Sequence, residues 1–357
     1  MFPLALCLFF ITLLGIPKNV QKAPVMTLFE ADNRHFQYMG RIDFSKPKTP
    51  KFWAPGVTIK AKFQGTSCEA VFNDEVAHGT SHNYIEIAVD HQKSVRIQTT
   101  GPINTINVAE GLAPGAHTVT LCKDTESGIG YLEFVGLRCE KLLALPRPPA
   151  RRLEFIGDSI TCGAGSDQSQ KPCGVGEWYA QNNAYGSYGV HTARLLNAQW
   201  QLSAVSGIGL MHSCCDMTET MPTVFDRLKV RDGELKWDFA RYQPDAVTVC
   251  LGQNDGQQEP NAVQDHYVGF LQDIRGHYPK AQIICLTSPM ADDSLTAYLK
   301  TNLTQIVARR NEAGDKNVHT FFFAHHYNRG CGQHPNLDDH QLIAGELAPY
   351  LKATLGW

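Results

Sequence analysis

The spacing of apolar residues changes at one proline-rich stretch, residues 145–149, and this change limits the folds that the chain can adopt. Before this stretch, apolar and polar residues alternate in short segments that turn residues separate, as in residues 57–63, 84–90, 94–98 and 117–121. Such alternation is typical of strands that bury one face. We therefore expect this part of the chain to form a β-sandwich of the jelly-roll type.

After residue 152, short apolar runs alternate with segments of helical periodicity. The apolar runs have the composition of strands that are buried on both faces, and they include residues 153–156, 200–205, 246–251, 282–286 and 318–323. Strands that alternate with helices predict a parallel sheet with helices on both faces. The second part of the chain is therefore expected to be a three-layer α/β domain with a five-stranded parallel sheet.

Four segments follow from these patterns. They are a signal peptide (residues 1–23), the β-sandwich domain (24–145), a proline-rich linker (146–152) and the α/β domain (153–357).

The predicted signal peptide, residues 1–23, indicates the cellular compartment of the protein. Residues 2–16 are nearly all apolar but too short for a membrane span with ordinary flanks, which is typical of a secretory signal. An uncleaved anchor is the alternative. Ten of the 11 cysteines follow this signal, and an even number fits disulfide formation in an oxidising compartment. We expect a secreted or periplasmic protein with disulfide bonds and no membrane contact once the signal is removed.

The charge balance excludes one class of partner. The chain has 32 Lys and Arg against 35 Asp and Glu, a net charge of −3, and no basic cluster longer than a pair. Nucleic acids and anionic membranes are bound through basic stripes, so neither is an expected partner.

Short polar segments directly after three predicted strands, and one before the last helix, carry the residue types of an acyl-transfer site. Ser159, Gly207 and Asn254 follow strands, and His334 precedes the helix. Each alone fits a turn or a helix cap. Because the carboxyl ends of parallel strands meet at one edge, however, this set would bring together a hydroxyl, an imidazole, an accessible N–H and an amide.

The motifs themselves resemble a known group. Residues 157–160 (Gly-Asp-Ser-Ile), Gly207, residues 252–255 (Gly-Gln-Asn-Asp) and 334–336 (His-Pro-Asn) stand in the order of the blocks of the SGNH (GDSL-type) hydrolases. The preceding β-sandwich narrows the resemblance to carbohydrate esterase family 2. Members of that family are secreted deacetylases of plant polysaccharides and have a jelly roll before the hydrolase domain.

This resemblance implies a role for each motif residue. Ser159 would be the nucleophile and His334 the base, while the N–H groups of Ser159 and Gly207 and the side chain of Asn254 would form the oxyanion hole. It implies no cofactor and no metal ion. Adjacent histidines at 325 and 326 point to opposite faces of an extended segment, so we do not expect a metal site there either.

One departure concerns the carboxylate that usually orients the histidine. The wider group places an aspartate three residues before the histidine, or in some members two, and these positions hold Cys331 and Gly332. We expect a Ser–His dyad whose imidazole is held by a backbone carbonyl. A carboxylate from Asp338 or Asp339 and complete loss of activity are the alternatives.

The expected function is removal of acetyl groups from plant polysaccharide, acetylxylan or acetylated glucomannan, by a serine acyl-enzyme mechanism. One alternative is a general lipid or ester hydrolase of the same superfamily. Another is an inactive homologue that only binds carbohydrate.

Other residues carry more local expectations. Trp178 and Tyr185 would stack on sugar rings, or else form a buried rim. Asp158 and Asp255 are expected to fix turns. Candidate disulfides are Cys162–Cys331, and Cys68 with Cys122 or Cys139.

Overall fold

The computed structural model describes residues 25–231 and 233–357. The predicted signal peptide, residues 1–23, lies outside the described residues. Within the described ranges, no helix has the length and apolarity needed to cross a membrane.

Nine strands in the first part of the chain form one antiparallel sheet. They are β1 (Thr27–Glu30), β2 (Gln37–Met39), β3 (Lys51–Phe52), β4 (Thr58–Asp74), β5 (Tyr84–Val89), β6 (Val95–Gln98), β7 (Ile103–Ala109), β8 (Ala116–Lys123) and β9 (Leu132–Leu143).

The long strand β4 organises this sheet. It pairs with β8 through residues 58–64 and with β7 through residues 68–73, while β9 pairs with it from residue 62 onwards. The exchange of partners occurs next to Gly65, whose φ of +129° suits glycine. Alternate residues of β4 are buried, as in Ala61 and Phe63, so one face of the sheet encloses an apolar core. The predicted β-sandwich is confirmed.

The described residues of the second part of the chain form five strands and six α-helices. They are β10 (Arg152–Gly157), α1 (Ser159–Cys162), α2 (Tyr188–Leu195), β11 (Gln199–Ala204), α3 (Met221–Val224), β12 (Ala246–Cys250), α4 (Pro260–His277), β13 (Gln282–Leu286), α5 (Asp293–Glu312), β14 (Val318–Phe321) and α6 (Leu337–Leu355).

All five strands are parallel, in the order β11-β10-β12-β13-β14. Apolar residues of α2 and α6 cover one face of this sheet, and apolar residues of α4 and α5 cover the other. The predicted three-layer α/β domain is therefore confirmed. The strands on either side of the linker end at Leu143 and begin at Arg152. The exact domain boundaries stay a prediction.

The strand order determines where a site can form. From β10 the chain first continues to β11 on one side and then to β12 on the other, so the two connections diverge at the carboxyl end of β10. Such a switch point opens a crevice in parallel sheets. The residues that end these strands, Gly157, Ala204 and Cys250, lie side by side.

A buried ion pair joins the two parts of the chain. Arg41 Nη2 lies 3.1 Å from Glu154 Oε1, and both side chains are completely buried. Arg41 Nη1 also donates to the carbonyl oxygens of Phe225 and Arg227, at 2.5 and 2.8 Å. Ser203 Oγ donates to the same Glu154 oxygen at 2.6 Å. Arg41 therefore holds a carboxylate that is buried on β10 of the parallel sheet.

Removal of this arginine should destabilise the protein strongly. Arg41→Ala leaves the Glu154 carboxylate buried without its partner, which typically lowers the free energy of unfolding by about 3–5 kcal/mol. Chemical denaturation followed by circular dichroism measures the loss. Lys48→Ala breaks an exposed pair with Glu30 and should leave the unfolding midpoint unchanged. An Arg41→Ala midpoint equal to that of Lys48→Ala would contradict this role.

Candidate active site

Ser159 stands at the first turn after β10. The Asp158 side chain caps this turn, since its Oδ1 accepts a hydrogen bond from the Ile160 N–H at 3.0 Å. Helix α1 ends after four residues because Gly163 adopts φ +71°, and a Cβ there would collide with the Asn183 carbonyl. Ser159 is only 7% exposed, and it lines a cavity at the switch point.

His334 reaches Ser159 from the loop before α6. Its Nε2 lies 2.8 Å from Ser159 Oγ, across 175 positions of sequence. Its Nδ1 lies 3.2 Å from the Cys331 carbonyl oxygen. A carbonyl only accepts hydrogen bonds, so Nδ1 carries the proton and Nε2 is left to accept from the serine hydroxyl. This is the arrangement that a general base requires.

The surroundings of His334 keep the imidazole neutral. Burial lowers its pKa below the ordinary value of 6.5, while the carbonyl groups of Cys331 and Gly332 and the charge of Glu126 act in the opposite direction. A neutral imidazole at neutral pH can take a proton from Ser159.

The three residues expected to supply oxyanion donors, Ser159, Gly207 and Asn254, line one cavity. Within the described ranges, no group accepts a hydrogen bond from the backbone N–H of Ser159 or of Gly207. The Asn254 amide lines the same cavity and donates to the Ile208 carbonyl at 2.9 Å and to Asp158 Oδ2 at 3.3 Å. For Asn254 to donate to an oxyanion, its longer hydrogen bond, the one to Asp158, has to break.

Asp255 fixes the loop that follows Gly207. Its two carboxylate oxygens accept hydrogen bonds from the N–H groups of Leu210, Met211 and His212, at 2.6 to 2.9 Å. The expectation that Asp158 and Asp255 tie down turns is confirmed. These bonds hold the Gly207 loop at the edge of the sheet.

Neither aspartate after the histidine approaches it. Asp339 Oδ1 accepts from Arg329 Nε at 2.6 Å, and its Oδ2 accepts from the backbone N–H of Arg329 at 2.9 Å. Asp338 is exposed at the start of α6. The alternative of a carboxylate that folds back from α6 is therefore wrong, and the imidazole is oriented by the Cys331 carbonyl, as predicted.

The cavity has a volume of about 540 Å³ and opens to solvent beside Trp178. The Trp178 side chain is 60% exposed and belongs to the cavity wall. Tyr185 does not: its ring lies 4.2 Å from the Arg194 guanidinium, outside the residues that line the cavity. The expectation that Tyr185 contacts substrate is therefore not supported, because its ring packs against the arginine of α2.

Two disulfides stand next to the cavity, and neither was predicted. Cys331 pairs with Cys173, whereas the Cys162 thiol donates to Glu126 Oε2 at 3.1 Å. The neighbouring cysteines at 214 and 215 pair with each other. The predicted Cys162–Cys331 pair is wrong because the long loop after α1 brings Cys173 to the histidine loop.

The disulfides predicted in the sandwich are also wrong. Cys68 and Cys139 lie opposite each other in register, but they and Cys122 are buried free thiols.

The sequence motifs do not include two charged residues of the cavity wall. Glu126 belongs to the sandwich domain, and Arg231 lies outside the four motifs. The polar run of residues 124–127 after β8 was the only signal for Glu126, and such runs occur in many turns.

The described ranges contain no group of three or more His, Cys, Asp or Glu side chains that would hold a metal ion. His325 is exposed, and His326 Nε2 lies 2.7 Å from the Met290 carbonyl oxygen.

Two family models together match most of this chain. Residues 38–149 match the model of the carbohydrate esterase 2 N-terminal domain, and residues 155–342 match that of the GDSL-like lipase/acylhydrolase family. The cellulase/esterase CelE of Acetivibrio thermocellus is 32% identical over 338 residues, which are 92% of this chain. This chain spans only 40% of the length of CelE.

Two further similarities cover nearly the full length of both proteins. An acetylxylan esterase/glucomannan deacetylase of Cellvibrio japonicus is 26% identical over 335 residues, which cover 92% of this chain and 91% of that protein. A solved structure of a family two carbohydrate esterase from Clostridium thermocellum, in complex with cellohexaose, superposes with a TM-score of 0.81 at 31% identity. It covers 90% of this chain and 99% of that one.

The fold, the site and these relatives define a carbohydrate esterase. More particularly, the chain belongs to the GDSL-like lipase/acylhydrolase family, and its two-domain architecture is that of the family 2 carbohydrate esterases.

The pH dependence of the esterase should report the buried imidazole. The neutral form of His334 is the base, so kcat/KM falls as the pH drops through its pKa, which burial places below 6.5. We expect the acid limb of kcat/KM on an aryl acetate to have its midpoint below pH 6.5. Circular dichroism at each pH controls for unfolding. A midpoint above pH 6.5 would show that another group determines the acid limb, or that water reaches the His334 imidazole.

Proposed function

We propose that this protein is an exported serine esterase that removes acetyl groups from plant polysaccharide such as acetylxylan or acetylated glucomannan. The observation that carries the proposal is the 2.8 Å contact between Ser159 Oγ and His334 Nε2 beside unused N–H donors. A hydroxyl, its base and oxyanion donors in one cavity suffice for acyl transfer.

The proposed reaction has two steps. His334 takes the Ser159 proton as Oγ attacks the acetyl carbonyl carbon. The resulting tetrahedral anion is stabilised by the N–H groups of Ser159 and Gly207 and by Asn254. The imidazolium then gives its proton to the departing sugar oxygen, which leaves acetyl-Ser159. A water molecule, deprotonated by His334, attacks the acetyl-enzyme and releases acetate and the free serine.

The wall of the cavity favours a short acyl group. Its larger apolar side chains are Val175, Trp178 and Met217, and many of the other lining residues are glycine or polar. A long acyl chain needs an extended apolar groove to be removed from water, whereas an acetyl group does not. The glycine and polar residues of this wall favour the acetyl group over the long chain of a lipid substrate.

Support for the carbohydrate comes from the relatives, which are named as acetylxylan esterase/glucomannan deacetylase and as an esterase bound to cellohexaose. The apolar N-terminal stretch of residues 2–16 and the Cys173–Cys331 disulfide both fit export to an oxidising compartment.

Release of acetate tests the proposal. The wild-type protein should release acetate from acetylxylan or acetylated glucomannan and should prefer aryl acetate over aryl octanoate. Ser159→Ala should lower kcat by at least about 10³-fold, because the nucleophile is lost. Ser169→Ala, at an exposed serine outside the cavity, is the matched control. Preference for octanoate would favour the lipid hydrolase, and a wild-type protein that binds glycan without turnover would favour the inactive homologue.

Trp178 is proposed to stack on a sugar ring at the cavity rim. Trp178→Ala should then raise KM on acetylated polysaccharide by about 3- to 10-fold, which corresponds to the interaction free energy of one aromatic contact. Its kcat/KM on a small aryl acetate should stay unchanged. Tyr185→Phe keeps the packing against Arg194 and should change neither value. An unchanged polysaccharide KM in Trp178→Ala would mean that the ring is only part of the rim.

A further inference from the structure

A carboxylate from the sandwich domain reaches the active site of the other domain. Glu126 precedes a short 3₁₀ turn, Ser127–Ile129, between β8 and β9, and it is only 1% exposed. Its Oε2 accepts a hydrogen bond from the backbone N–H of Ser206 at 2.5 Å and from the Cys162 thiol at 3.1 Å. Ser206 precedes Gly207 of the proposed oxyanion hole. Cys162 ends the helix that Ser159 begins.

The second oxygen of this carboxylate is left without a partner. Glu126 Oε1 is completely buried, and no described group donates a hydrogen bond to it. Glu126 nevertheless lines the cavity that contains Ser159 and His334. A charged oxygen that is buried without a hydrogen bond raises the free energy of the folded state. A native structure that keeps such a group suggests that the group has a function in the site.

The turn that carries Glu126 is held rigidly. Lys123 is fully buried, and its Nζ donates to the carbonyl oxygens of Thr125 and Glu126, at 2.6 and 3.2 Å. Gly128 leaves room for Arg231, since a Cβ there would lie 2.5 Å from Arg231 Nη1. The carboxylate therefore occupies a fixed position relative to the cavity.

We propose that Glu126 is a positioning residue that supplies, from the other domain, the negative charge missing at residues 331 and 332. It holds the Ser206–Gly207 loop through one oxygen, and its charge stabilises the imidazolium that forms when His334 takes the Ser159 proton. The inference rests on the proposed serine mechanism.

The electrostatics of His334 agree with this role. Its Nδ1 meets only a carbonyl, whose partial charge stabilises an imidazolium less than a carboxylate does. The charge of Glu126 raises the pKa of His334 against the effect of burial. Both residues line one cavity, and charges that are shielded from water are screened less than charges in bulk solvent.

Other ionisable groups lie near this cavity. Glu177 and Arg231 line it, Asp158 precedes Ser159, His340 is electrostatically coupled to His334, and Asp339 and Lys123 lie in the adjoining helix and turn. Asp339 is engaged by Arg329, and Lys123 by the turn carbonyls. The negative charge of Glu126 raises the pKa of His334, whereas the buried His340, coupled to the same imidazole, has its own pKa lowered by burial.

The test is Glu126→Gln, which keeps an acceptor for the Ser206 N–H and removes the charge. We expect kcat on an aryl acetate to fall about 10-fold or more, with KM within about twofold of wild type. The acid limb of kcat/KM should also move to lower pH, because loss of the negative charge lowers the pKa of His334. A merely structural role would not move this limb.

Two further variants complete the experiment. Glu86→Gln removes a buried carboxylate that Asn183 Nδ2 contacts across the same domain boundary at 3.4 Å, away from the cavity, and should leave kcat and the acid limb unchanged. Glu126→Asp keeps the charge, but its shorter side chain places the carboxylate farther from the Ser206 N–H. The acid limb of this variant should therefore stay near that of wild type while kcat falls. Glu126→Asp also tests the proposal if Glu126→Gln does not fold.

The outcomes separate this inference from the proposed function. An unmoved acid limb in Glu126→Gln, or a moved one in Glu126→Asp, overturns the role of the charge. If Ser159→Ala is inactive while Glu126→Gln matches wild type, the serine mechanism stands and the inference about Glu126 falls. An active Ser159→Ala would overturn the proposed function itself.

Discussion

The hydrogen bond between Ser159 and His334 depends on the order of strands in the parallel sheet. The two residues are 175 positions apart and meet at 2.8 Å at the sheet edge where β10 lies between β11 and β12. The crevice at that switch point places the turn after β10 beside the loops after β11 and β12. The long loop before α6 then brings the imidazole over the same edge. Each chemical group is thus supplied by a different connection of one sheet.

The β-sandwich takes part in this arrangement. Arg41 neutralises Glu154 inside the parallel sheet, Asp124 Oδ1 accepts from the Tyr185 N–H at 3.1 Å, and Glu126 holds the Ser206 N–H. These contacts connect the sandwich to the core, to the loop after the nucleophile and to the loop of the proposed oxyanion hole. The hydrolase domain consequently depends on the sandwich for the position of two of its loops.

The fold was predictable because local periodicity determines it. Alternation in β4, in contrast to the largely apolar segments β12 and β13 that are buried on both faces, distinguishes a one-sided from a two-sided sheet without knowledge of tertiary contacts. Ser159, Gly207, Asn254 and His334 were candidates because their motifs follow strands or precede a helix. Their proximity was an expectation from topology, and the structure brings them around one cavity.

The features that the sequence patterns did not predict depend on contacts between distant loops. The partner of Cys331 depends on where the loop of residues 164–183 turns, and no periodic pattern fixes that path. Tyr185 follows the same loop, and the arginine of α2 determines its position. Glu126 has no motif, and its importance follows only from how the two domains pack.

The most direct test of the account is a double-mutant cycle on Ser159 and His334. If the two side chains form one proton-transfer unit, Ser159→Ala, His334→Ala and the double variant should lower kcat on an aryl acetate by about the same factor. The second substitution would then cost little once the first is made. Losses that multiply in the double variant would mean that the serine and the histidine act independently, and the account would be contradicted.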